Sequence, residues 1–293
     1  MDLINRILKS VLRGSGALIP DKFQIECYYR LEMGKTLDLK NPKTMNEKLQ
    51  WLKLYNRKEE YRALVDKIKV KEIVSKIVGE KYVVPILGVW ESFDEIDFDK
   101  LPNQFVLKAN HSGGNAGVVI VSDKKKIDRA GVKHKLKKSL QGDIYRSYRE
   151  WPYKGMNKKI FAEEYLGSDI VDYKFYCFDG DVDCVLLCID RQKGSPKFYF
   201  FDKNWNLCRY NKRGKEAPVD FTLPKPEGID EMFSLASKMS KGIPFVRMDF
   251  YDVNGRIYFG EYTFFPASGY DRNRLPESDL YFGSKIHLPP VTK

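Results

Sequence analysis

The chain has 293 residues, of which 43% are hydrophobic and 31% are charged, and its formal net charge at pH 7 is +11. This length and apolar content suffice for a large core divided among roughly two or three packed subdomains. No apolar run reaches the roughly 18 residues of a membrane-spanning helix, and no signal peptide is evident. The composition therefore excludes an integral membrane protein and favours a cytoplasmic one.

Cysteine and histidine usage indicates neither a disulfide framework nor a zinc site. None of the five cysteines has CxxC spacing, and none of the three histidines is paired at helical spacing. We therefore interpret the cysteines as reduced core residues of a cytoplasmic protein.

A helical region is predicted over residues 1–60. At the N-terminus, apolar residues recur at helical spacing from Leu3 to Leu12, and such an amphipathic helix either docks on its own domain or lies on an anionic membrane surface. We favour docking, and peripheral contact with the inner membrane face stays open. A second helix is predicted over residues 21–33, and the capping-box pattern Thr44-Met45-Asn46-Glu47 predicts the start of a third.

From about residue 62 the pattern predicts a helix that carries Lys67 and ends before Gly79, followed by a strand over residues 82–87. Residues 101–121 are typical of a strand, a glycine-rich loop and a second strand, with Lys108 at the end of the first. Glycines allow backbone N–H groups to wrap a phosphate closely. The loop has neither the Walker A nor the Rossmann pattern, so a plain turn is the alternative.

Much of the positive charge lies in residues 124–126 and 133–138, inside a predicted surface helix. Such charge serves a nucleic acid, an anionic membrane or an anionic substrate, or is simply solvated. Because no nucleic-acid motif is present and the aromatic residues are dispersed, no nucleic-acid partner is expected.

Further strands are predicted over residues 160–166, which lead into a connector, and over 172–178 and 182–189, which form a hairpin. A helix is expected at about residues 228–240. The last hairpin, within residues 246–269, turns at the dipeptide Asn254-Gly255.

In that last hairpin, Asp249 and Glu261 fall near the middle of the two strands, so strand pairing brings them close on one face. A bare pair of carboxylates there is costly. Oxygen ligands on rigid strands suit Mg²⁺, which takes one or two carboxylates together with substrate phosphates. The alternative is a pair of solvated salt bridges.

The order of these parts over residues 62–270 resembles the ATP-grasp superfamily: a lysine, a lysine before a glycine-rich hairpin, a connector, a basic strand, an Arg-x-Asp strand and a Glu strand. Five stretches look like its TupA-like branch, which is associated with teichuronopeptide and other bacterial surface-polysaccharide biosynthesis. They are Asn41-Pro-Lys-Thr-Met-Asn-Glu-Lys-Leu-Gln-Trp, Arg149-Glu-Trp-Pro-Tyr, Ala162-Glu-Glu-Tyr-Leu-Gly, Asp172-Tyr-Lys-Phe-Tyr-Cys-Phe and Phe265-Pro-Ala-Ser-Gly.

The resemblance implies an α+β ATP-grasp fold in which two α+β subdomains grip ATP between antiparallel sheets. Residues 61–160 would form the subdomain with the phosphate loop, and residues 161–293 the subdomain with the metal-binding hairpin. The helical region 1–60 would precede them.

The resemblance also implies a nucleotide site. Two lysines would hold the ATP phosphates, a loop would cover them, the connector backbone would meet adenine, and an acid would bind ribose. These residues are, in the same order, Lys67 and Lys108; Ser112, Gly113, Gly114, Asn115 and Gly117; Glu163, Glu164, Tyr165 and Leu166; and Asp172.

For the metal, the resemblance implies Asp249, Glu261 and Thr263 as ligands of Mg²⁺. Thr263 stands where many members of the superfamily have Asn, so the choice between one and two Mg²⁺ ions stays open. The basic groups implied at the transferred phosphate are Lys174, Arg191 and Arg247.

These parts imply a carboxylate–amine ligase that uses ATP and Mg²⁺ and acts through an acyl-phosphate. The branch suggests a uronic-acid glycan as the carboxylate and an amino acid as the amine. One alternative is a glycosyltransferase, for which Asp181-Val-Asp183 has the form of a metal site; another is a non-enzymatic binder of anionic polymers or membrane surfaces. The identities of the substrates, the oligomeric state and the role of the first 60 residues stay open.

Overall fold

The computed structural model describes residues 7–12, 19–114, 116–167, 170–190 and 195–291. The chain divides into two compact units. Unit A comprises residues 58–145 and 152–169, and unit B comprises residues 1–57, 146–151 and 170–293. The first 57 residues thus cluster with the C-terminal half of the chain. The functional division predicted from sequence, into residues 1–60, 61–160 and 161–293, stays a prediction.

Nine helices have bounds within the described residues; a further helical stretch covers residues 7–12. They are α1 (Asp21–Met33), α2 (Met45–Tyr55), α3 (Glu60–Val65), α4 (Lys69–Val78), α5 (Arg129–Gln141), α6 (Ile144–Tyr148), α7 (Lys212–Glu216), α8 (Ile229–Ser240) and α9 (Pro276–Lys285). The strands are β1 (Ile86–Trp90), β2 (Phe105–Ala109), β3 (Val118–Val121), β4 (Ile160–Glu164), β5 (Val171–Phe178), β6 (Asp181–Ile189), β7 (Lys197–Phe201), β8 (Leu207–Cys208), β9 (Val246–Val253) and β10 (Arg256–Thr263).

Unit A is built on a four-stranded antiparallel sheet in the order β1-β4-β2-β3. Successive side chains of a strand point to opposite faces. One face buries Phe105 and Leu107 of β2 in a core that includes Leu136 of the basic helix α5. The other face of β2 therefore carries Val106 and Lys108.

Unit B is built on a six-stranded antiparallel sheet in the order β10-β9-β5-β6-β7-β8. Phe175 of β5 packs edge-on against Phe233 of α8 and Phe250 of β9, with ring centroids 4.9 and 5.7 Å apart. The opposite face of the same strands carries charged side chains. The hairpin predicted at Asn254-Gly255 is confirmed, and both turn residues have positive φ, as such a turn requires.

The N-terminal helices belong to unit B. The capping box is confirmed, because the Thr44 side chain accepts from the N–H of Glu47 and the Glu47 side chain accepts from that of Thr44. Residues 7–12 contribute Leu12 to a buried cluster with Tyr28 and Tyr270, whereas Ile7, Leu8 and Val11 are exposed. The predicted apolar residues Leu3 and Ile4 lie outside the described residues. No helix in the described part of the chain has both the length and the apolar composition to cross a membrane.

One helix differs from its prediction. The segment predicted as a single helix is two, α3 and α4, separated at residues 66–68. The Asp66 side chain accepts the N–H of Ile68 and, more weakly, that of Lys69, which satisfies donors at the start of α4. Lys67 therefore lies in the break, where its N–H donates to the carbonyl of Asn110, and the prediction that a helix carries it is wrong.

Candidate functional site

In unit A, lysines gather around one buried carboxylate, that of Glu163. Lys108 Nζ bonds to Oε1 of Glu163, and Lys71 Nζ lies 3.0 Å from Oε2. Lys71 also donates to the carbonyl of Val84 at 2.6 Å. Lys67 is near enough to act electrostatically on Lys71.

The strand register produces this cluster. In the β2–β4 pair, Lys108 is opposite Phe161 and Val106 is opposite Glu163. Residues directly opposite each other share a face, so Lys108 and Glu163 are diagonal neighbours on the face away from the core. Lys71 reaches the same carboxylate from α4.

The charges in this cluster favour an anion. Burial alone would raise the pKa of Glu163, but Lys108 and Lys71 lower it below its ordinary value, so the group is held ionised. Burial lowers the pKa of Lys71, and Glu163 opposes that shift while Lys108 and Lys67 add to it. Two ammonium groups therefore share one carboxylate with the Lys67 ammonium nearby, and a phosphate group is a suitable further partner.

Sequence reasoning missed Lys71 as a site residue. The signal was present, because Lys71 is four residues after Lys67 and was visible on the same predicted helix. Lys71 of α4 ion-pairs with Glu163, and Lys67 lies in the break at residues 66–68. The phosphate-binding role of Lys67 stays a prediction.

The glycine-rich loop is closed at its base. Ala109 N–H donates to the carbonyl of Gly117 at 2.9 Å, and Ser112 Oγ donates to the carbonyl of Ala109. A Cβ on Gly117 would lie 2.4 Å from Ser139 Oγ and 2.5 Å from Ser112 Oγ, so a larger residue there would displace these side chains. Gly113 and Gly114 are exposed at the tip, and Asn115 lies outside the described residues. Phosphate contact by this loop stays a prediction.

The connector residues have different surroundings. The Glu163 carboxylate ion-pairs with Lys71 and Lys108. Glu164 is exposed, and its N–H donates to the carbonyl of Pro85. Glu164 and Tyr165 line a shallow cleft of about 730 Å³ with Leu87, Leu101, Pro102 and neighbouring polar residues. The roles of Glu163, Glu164, Tyr165 and Leu166 in adenine binding stay predictions.

In unit B, three predicted site residues lie in one buried ion-pair network. Lys174 of β5 is opposite Asp249 of β9, and its Nζ lies 2.5 Å from Oδ2 of Asp249. Asp172, two residues earlier on β5, lies 3.5 Å from the same ammonium. This arrangement does not test the prediction that Asp172 binds ribose.

Arg247 completes the network. Its Nε and Nη2 donate to the two carboxylate oxygens of Asp249, each at 2.7 Å. It also donates to Thr263 Oγ1 at 3.1 Å and lies 3.6 Å from Glu261 Oε1. Burial would lower the pKa of Arg247, but Asp249 and Glu261 raise it, so the guanidinium remains charged.

The two acids predicted to share a metal are brought together. Glu261 is paired with Asp249 in the β9–β10 register, next to a bulge at Gly260. Thr263 Oγ1 donates to Glu261 Oε1 at 3.3 Å. Of the acids on this face, Glu261 is the most accessible, since its side chain is 29% exposed while those of Asp172 and Asp249 are 8% and 2% exposed.

This donor set fits Mg²⁺ in its chemistry. Two carboxylates and a hydroxyl supply oxygen atoms only, which a small hard cation prefers, and substrate phosphates and water usually complete its shell. Within the described ranges of the chain, this face brings three acidic side chains together with two cationic ones, an excess of acids that also suits a cation. Among the described residues, no group of three or more acidic, histidine or cysteine side chains is placed to hold a metal ion by itself.

Arg191, the third predicted basic group, lies outside the described residues, so its placement stays a prediction. The acids of Asp181-Val-Asp183, by contrast, are occupied. Lys285 Nζ lies 3.4 Å from Asp181 and 2.7 Å from Asp183, and Tyr281 donates to Asp183 at 2.6 Å. This motif is an ion-pair network around a lysine, which does not favour a glycosyltransferase metal site.

Sequence reasoning also missed a buried cluster next to the end of β10. Lys53 of α2 and Glu150 are buried there, and the Ser268 hydroxyl donates to Glu150 at 2.6 Å. The five stretches that resemble the TupA-like branch contain Glu150 and Ser268, but nothing in their spacing showed that the residues meet.

Two antiparallel sheets, each with cations and carboxylates on the face opposite its core, together with the surrounding helices make this an α+β protein. The model of the family described as "TupA-like ATPgrasp" matches residues 47–287, most of the chain, and the chain therefore belongs to that family. The resemblance and the α+β ATP-grasp fold predicted from sequence are both confirmed.

Several solved structures are similar to this chain at low identity, and no curated protein sequence matches it. D-alanine–D-alanine ligase from Helicobacter pylori is 13% identical, with a TM-score of 0.46 over 85% of this chain and 70% of that one. D-alanine–D-alanine ligase from Bacillus anthracis is 18% identical, with a TM-score of 0.42 over 76% and 67%. L-amino acid ligase from Bacillus licheniformis is 15% identical, with a TM-score of 0.44 over 76% and 49%.

Proposed function

We propose that the protein is an ATP-dependent ligase that joins a carboxylate to an amine through an acyl-phosphate. The observation that carries the proposal is the charged face of unit B, where Arg247 and Lys174 flank Asp249 and Glu261 is paired opposite it. In a chain of the ATP-grasp family, this face is suited to bind a metal and the phosphoryl group that is transferred.

In the first step, an oxygen of the substrate carboxylate bonds to the γ-phosphorus of ATP. The bond from that phosphorus to the bridging oxygen breaks, and ADP leaves. Such a transfer needs alignment and charge stabilisation more than a covalent catalyst. We assign charge stabilisation at the γ-phosphate to Arg247 and Lys174, and at other ATP phosphates to Lys71, Lys108 and Lys67.

In the second step, the amine nitrogen attacks the acyl carbon. The bond between that carbon and the phosphate oxygen breaks, inorganic phosphate leaves, and the nitrogen loses a proton to give an amide. Arg247 is held by two bonds to Asp249, so its guanidinium needs little reorganisation when charge develops on the departing phosphate.

Asp249, Glu261 and Thr263 would hold Mg²⁺ in this scheme. When bound, the ion would neutralise charge on the phosphates of ATP. Asp249 already accepts from two cations, so Glu261 is the better placed of the two acids to meet an incoming ion first.

For the substrates, we propose a uronic-acid glycan or its precursor as the carboxylate and an amino acid as the amine. Membership of the TupA-like family supports this choice, and the formal net charge of +11 suits an anionic glycan. We further propose that the protein acts in the cytoplasm, and peripheral contact with the inner membrane face stays open.

The test is a search for turnover. The protein is incubated with ATP, Mg²⁺, pooled uronate-containing oligosaccharides and pooled amino acids, and ADP is measured together with amide products by mass. ADP release that requires both a uronate and an amine supports the proposal. Turnover of a sugar nucleotide without ATP would replace it with a glycosyltransferase.

A further inference from the structure

A buried charged cluster in unit B has no role in the steps above. Lys53 and Gln50 of α2 are fully buried, and Glu150 is 8% exposed. They surround the turn Pro266–Gly269, which follows closely after Thr263 at the end of β10.

The backbone of this turn is unusual. Ala267, Ser268 and Gly269 have φ angles of 49°, 51° and 70°, so three successive residues are left-handed. A non-glycine residue in that region costs on the order of 1–3 kcal/mol and persists only where its surroundings hold it. Ala267 and Ser268 therefore need support from outside the turn.

Side chains of α2 supply that support. Gln50 Nε2 donates to the carbonyls of Ser268 and Gly269 at 3.1 and 2.7 Å. Lys53 Nζ donates to the carbonyl of Ser268 at 2.7 Å, to that of Tyr148 at 3.0 Å and to Gln50 Oε1 at 3.0 Å. All three N–H groups of the Lys53 ammonium are thus used.

The turn Pro266–Gly269 also packs closely against α2. A Cβ on Gly269 would lie 2.4 Å from Gln50 Nε2 and 3.1 Å from Leu49 Cβ, so the close approach requires glycine. The Lys53 ammonium lies 4.8 Å from the ring centre of Tyr270. From the other side, Glu150 accepts the Ser268 hydroxyl at 2.6 Å.

The charges in the cluster are costly to bury, at several kcal/mol per ion. Burial lowers the pKa of Lys53 to about 7, and Glu150 opposes that shift. Burial raises the pKa of Glu150; Lys53 opposes that shift, whereas Glu261 adds to it. Glu150 is therefore close enough to the candidate metal acid to sense its charge.

We propose that Lys53, Gln50 and Glu150 are positioning residues that fix the turn Pro266–Gly269 and thereby the end of β10, which carries Glu261 and Thr263. The inference rests on the proposed function, which makes those two residues metal ligands. Buried groups behind metal ligands orient them, and loss of one typically costs about 10–100-fold in metal affinity or activity.

The test compares Lys53→Met with Lys48→Met in the full chain. Lys48 is on the same helix, but its ammonium donates to the carbonyl of Ile286 and not to the turn. Hydrogen exchange is measured at the backbone amides of residues 267–270, and ADP release is measured against Mg²⁺ and ATP concentration.

For Lys53→Met we expect exchange in the turn to rise about 10-fold or more, kcat to fall about 10–100-fold and half-saturation by Mg²⁺ to rise by a similar factor. KM for ATP should change less than about 3-fold, because the nucleotide lysines are elsewhere. Lys48→Met should leave all four quantities near those of the parent protein.

Two further variants keep the test decisive if Lys53→Met does not fold. Ser268→Ala removes only the hydroxyl. It should speed hydrogen exchange in the turn and raise the Mg²⁺ concentration needed for half-saturation. Lys53→Met combined with Glu150→Gln should recover part of the loss seen in Lys53→Met, because no unpaired buried charge remains.

A lower melting temperature with unchanged turn exchange and unchanged Mg²⁺ dependence, in both Lys53→Met and Ser268→Ala, would overturn the inference and leave a purely structural cluster. If the parent protein releases no ADP under any condition, the proposed function fails instead. Hydrogen exchange then still decides whether the cluster holds the turn.

Discussion

At the scale of single residues, the candidate site depends on charges that the fold removes from water. The side chains of Asp249 and Lys174 are 2% and 9% exposed. Buried ions are tolerated only when they are paired and hydrogen-bonded, and here each is held by a partner on a neighbouring strand or on its own strand. Glu261 differs, because its side chain is 29% exposed, and it is therefore the acid that can be altered with the least harm to the fold.

We expect Glu261→Gln to reduce ATP turnover about 100-fold or more, because the amide keeps an oxygen but loses the charge that balances Mg²⁺. The melting temperature should fall by no more than a few degrees. ADP release and thermal unfolding are compared with those of Glu277→Gln, an exposed acid on α9. Near-normal turnover in Glu261→Gln would show that the acid is structural.

Lys53 should leave a signature in the pH dependence of stability. Its pKa is about 7 in the folded protein and 10.5 ordinarily, so between these values the unfolded chain binds more protons. The contribution of Lys53 to the free energy of unfolding therefore increases as pH rises from about 7 to 10.5, with a slope of at most about 1.4 kcal/mol per pH unit. Denaturant unfolding across this range should show a steeper rise for the parent protein than for Lys53→Met; equal slopes would contradict the lowered pKa of Lys53.

At the scale of elements, the short break between α3 and α4 determines where the helix that carries Lys71 begins. Because the break is capped by Asp66, α4 begins at Lys69 and its first turns direct Lys71 to the carboxylate. The strand β2 delivers Lys108 to the same group.

Lys71→Met should therefore weaken nucleotide binding and lower stability together, since it removes the proposed phosphate contact and leaves Glu163 with one fewer partner. The rise in melting temperature produced by ATP with Mg²⁺ should be largely lost. Lys76→Met is the control, because Lys76 lies on the same helix in an exposed pair with Glu72. A full ATP-dependent rise in Lys71→Met, with its loss in Lys67→Met, would favour the assignment made from sequence.

Local patterns predicted some elements well. Continued past Phe250 opposite Phe259, the register set by the turn at Asn254-Gly255 would place Gly260 opposite Asp249, and only the bulge there brings Glu261 to that position. The turn and its two strands were visible in the sequence. The helix break at Asp66 was not, because a single side-chain cap outweighed a continuous apolar pattern.

The cluster behind β10 could not be predicted in the same way. Lys53 and Ser268 are 215 residues apart, and Glu150 and Ser268 are 118 apart. Each of the three is unremarkable in its own segment, and only tertiary packing brings them together. The left-handed conformation of Ala267 and Ser268 also has no local signal, since neither residue prefers it.

At the scale of the whole molecule, chemistry is divided between two sheets. Unit A offers an excess of ammonium groups over carboxylates around Glu163, and unit B offers an excess of carboxylates around Lys174 and Arg247. The first composition suits phosphates and the second suits a cation. This division supports the proposed ATP-dependent ligase in a chain of the TupA-like ATP-grasp family.

The most direct measurement of this claim is trapping of the acyl-phosphate. The protein is supplied with ATP, Mg²⁺, the carboxylate substrate and hydroxylamine in place of the amine, and hydroxamate and ADP are measured together. We predict that the two form in equal amounts and that Arg247→Ala suppresses both at least about 100-fold, because the guanidinium stabilises the transferred phosphoryl group. Turnover of a sugar nucleotide that is indifferent to ATP, with no hydroxamate, would contradict the account.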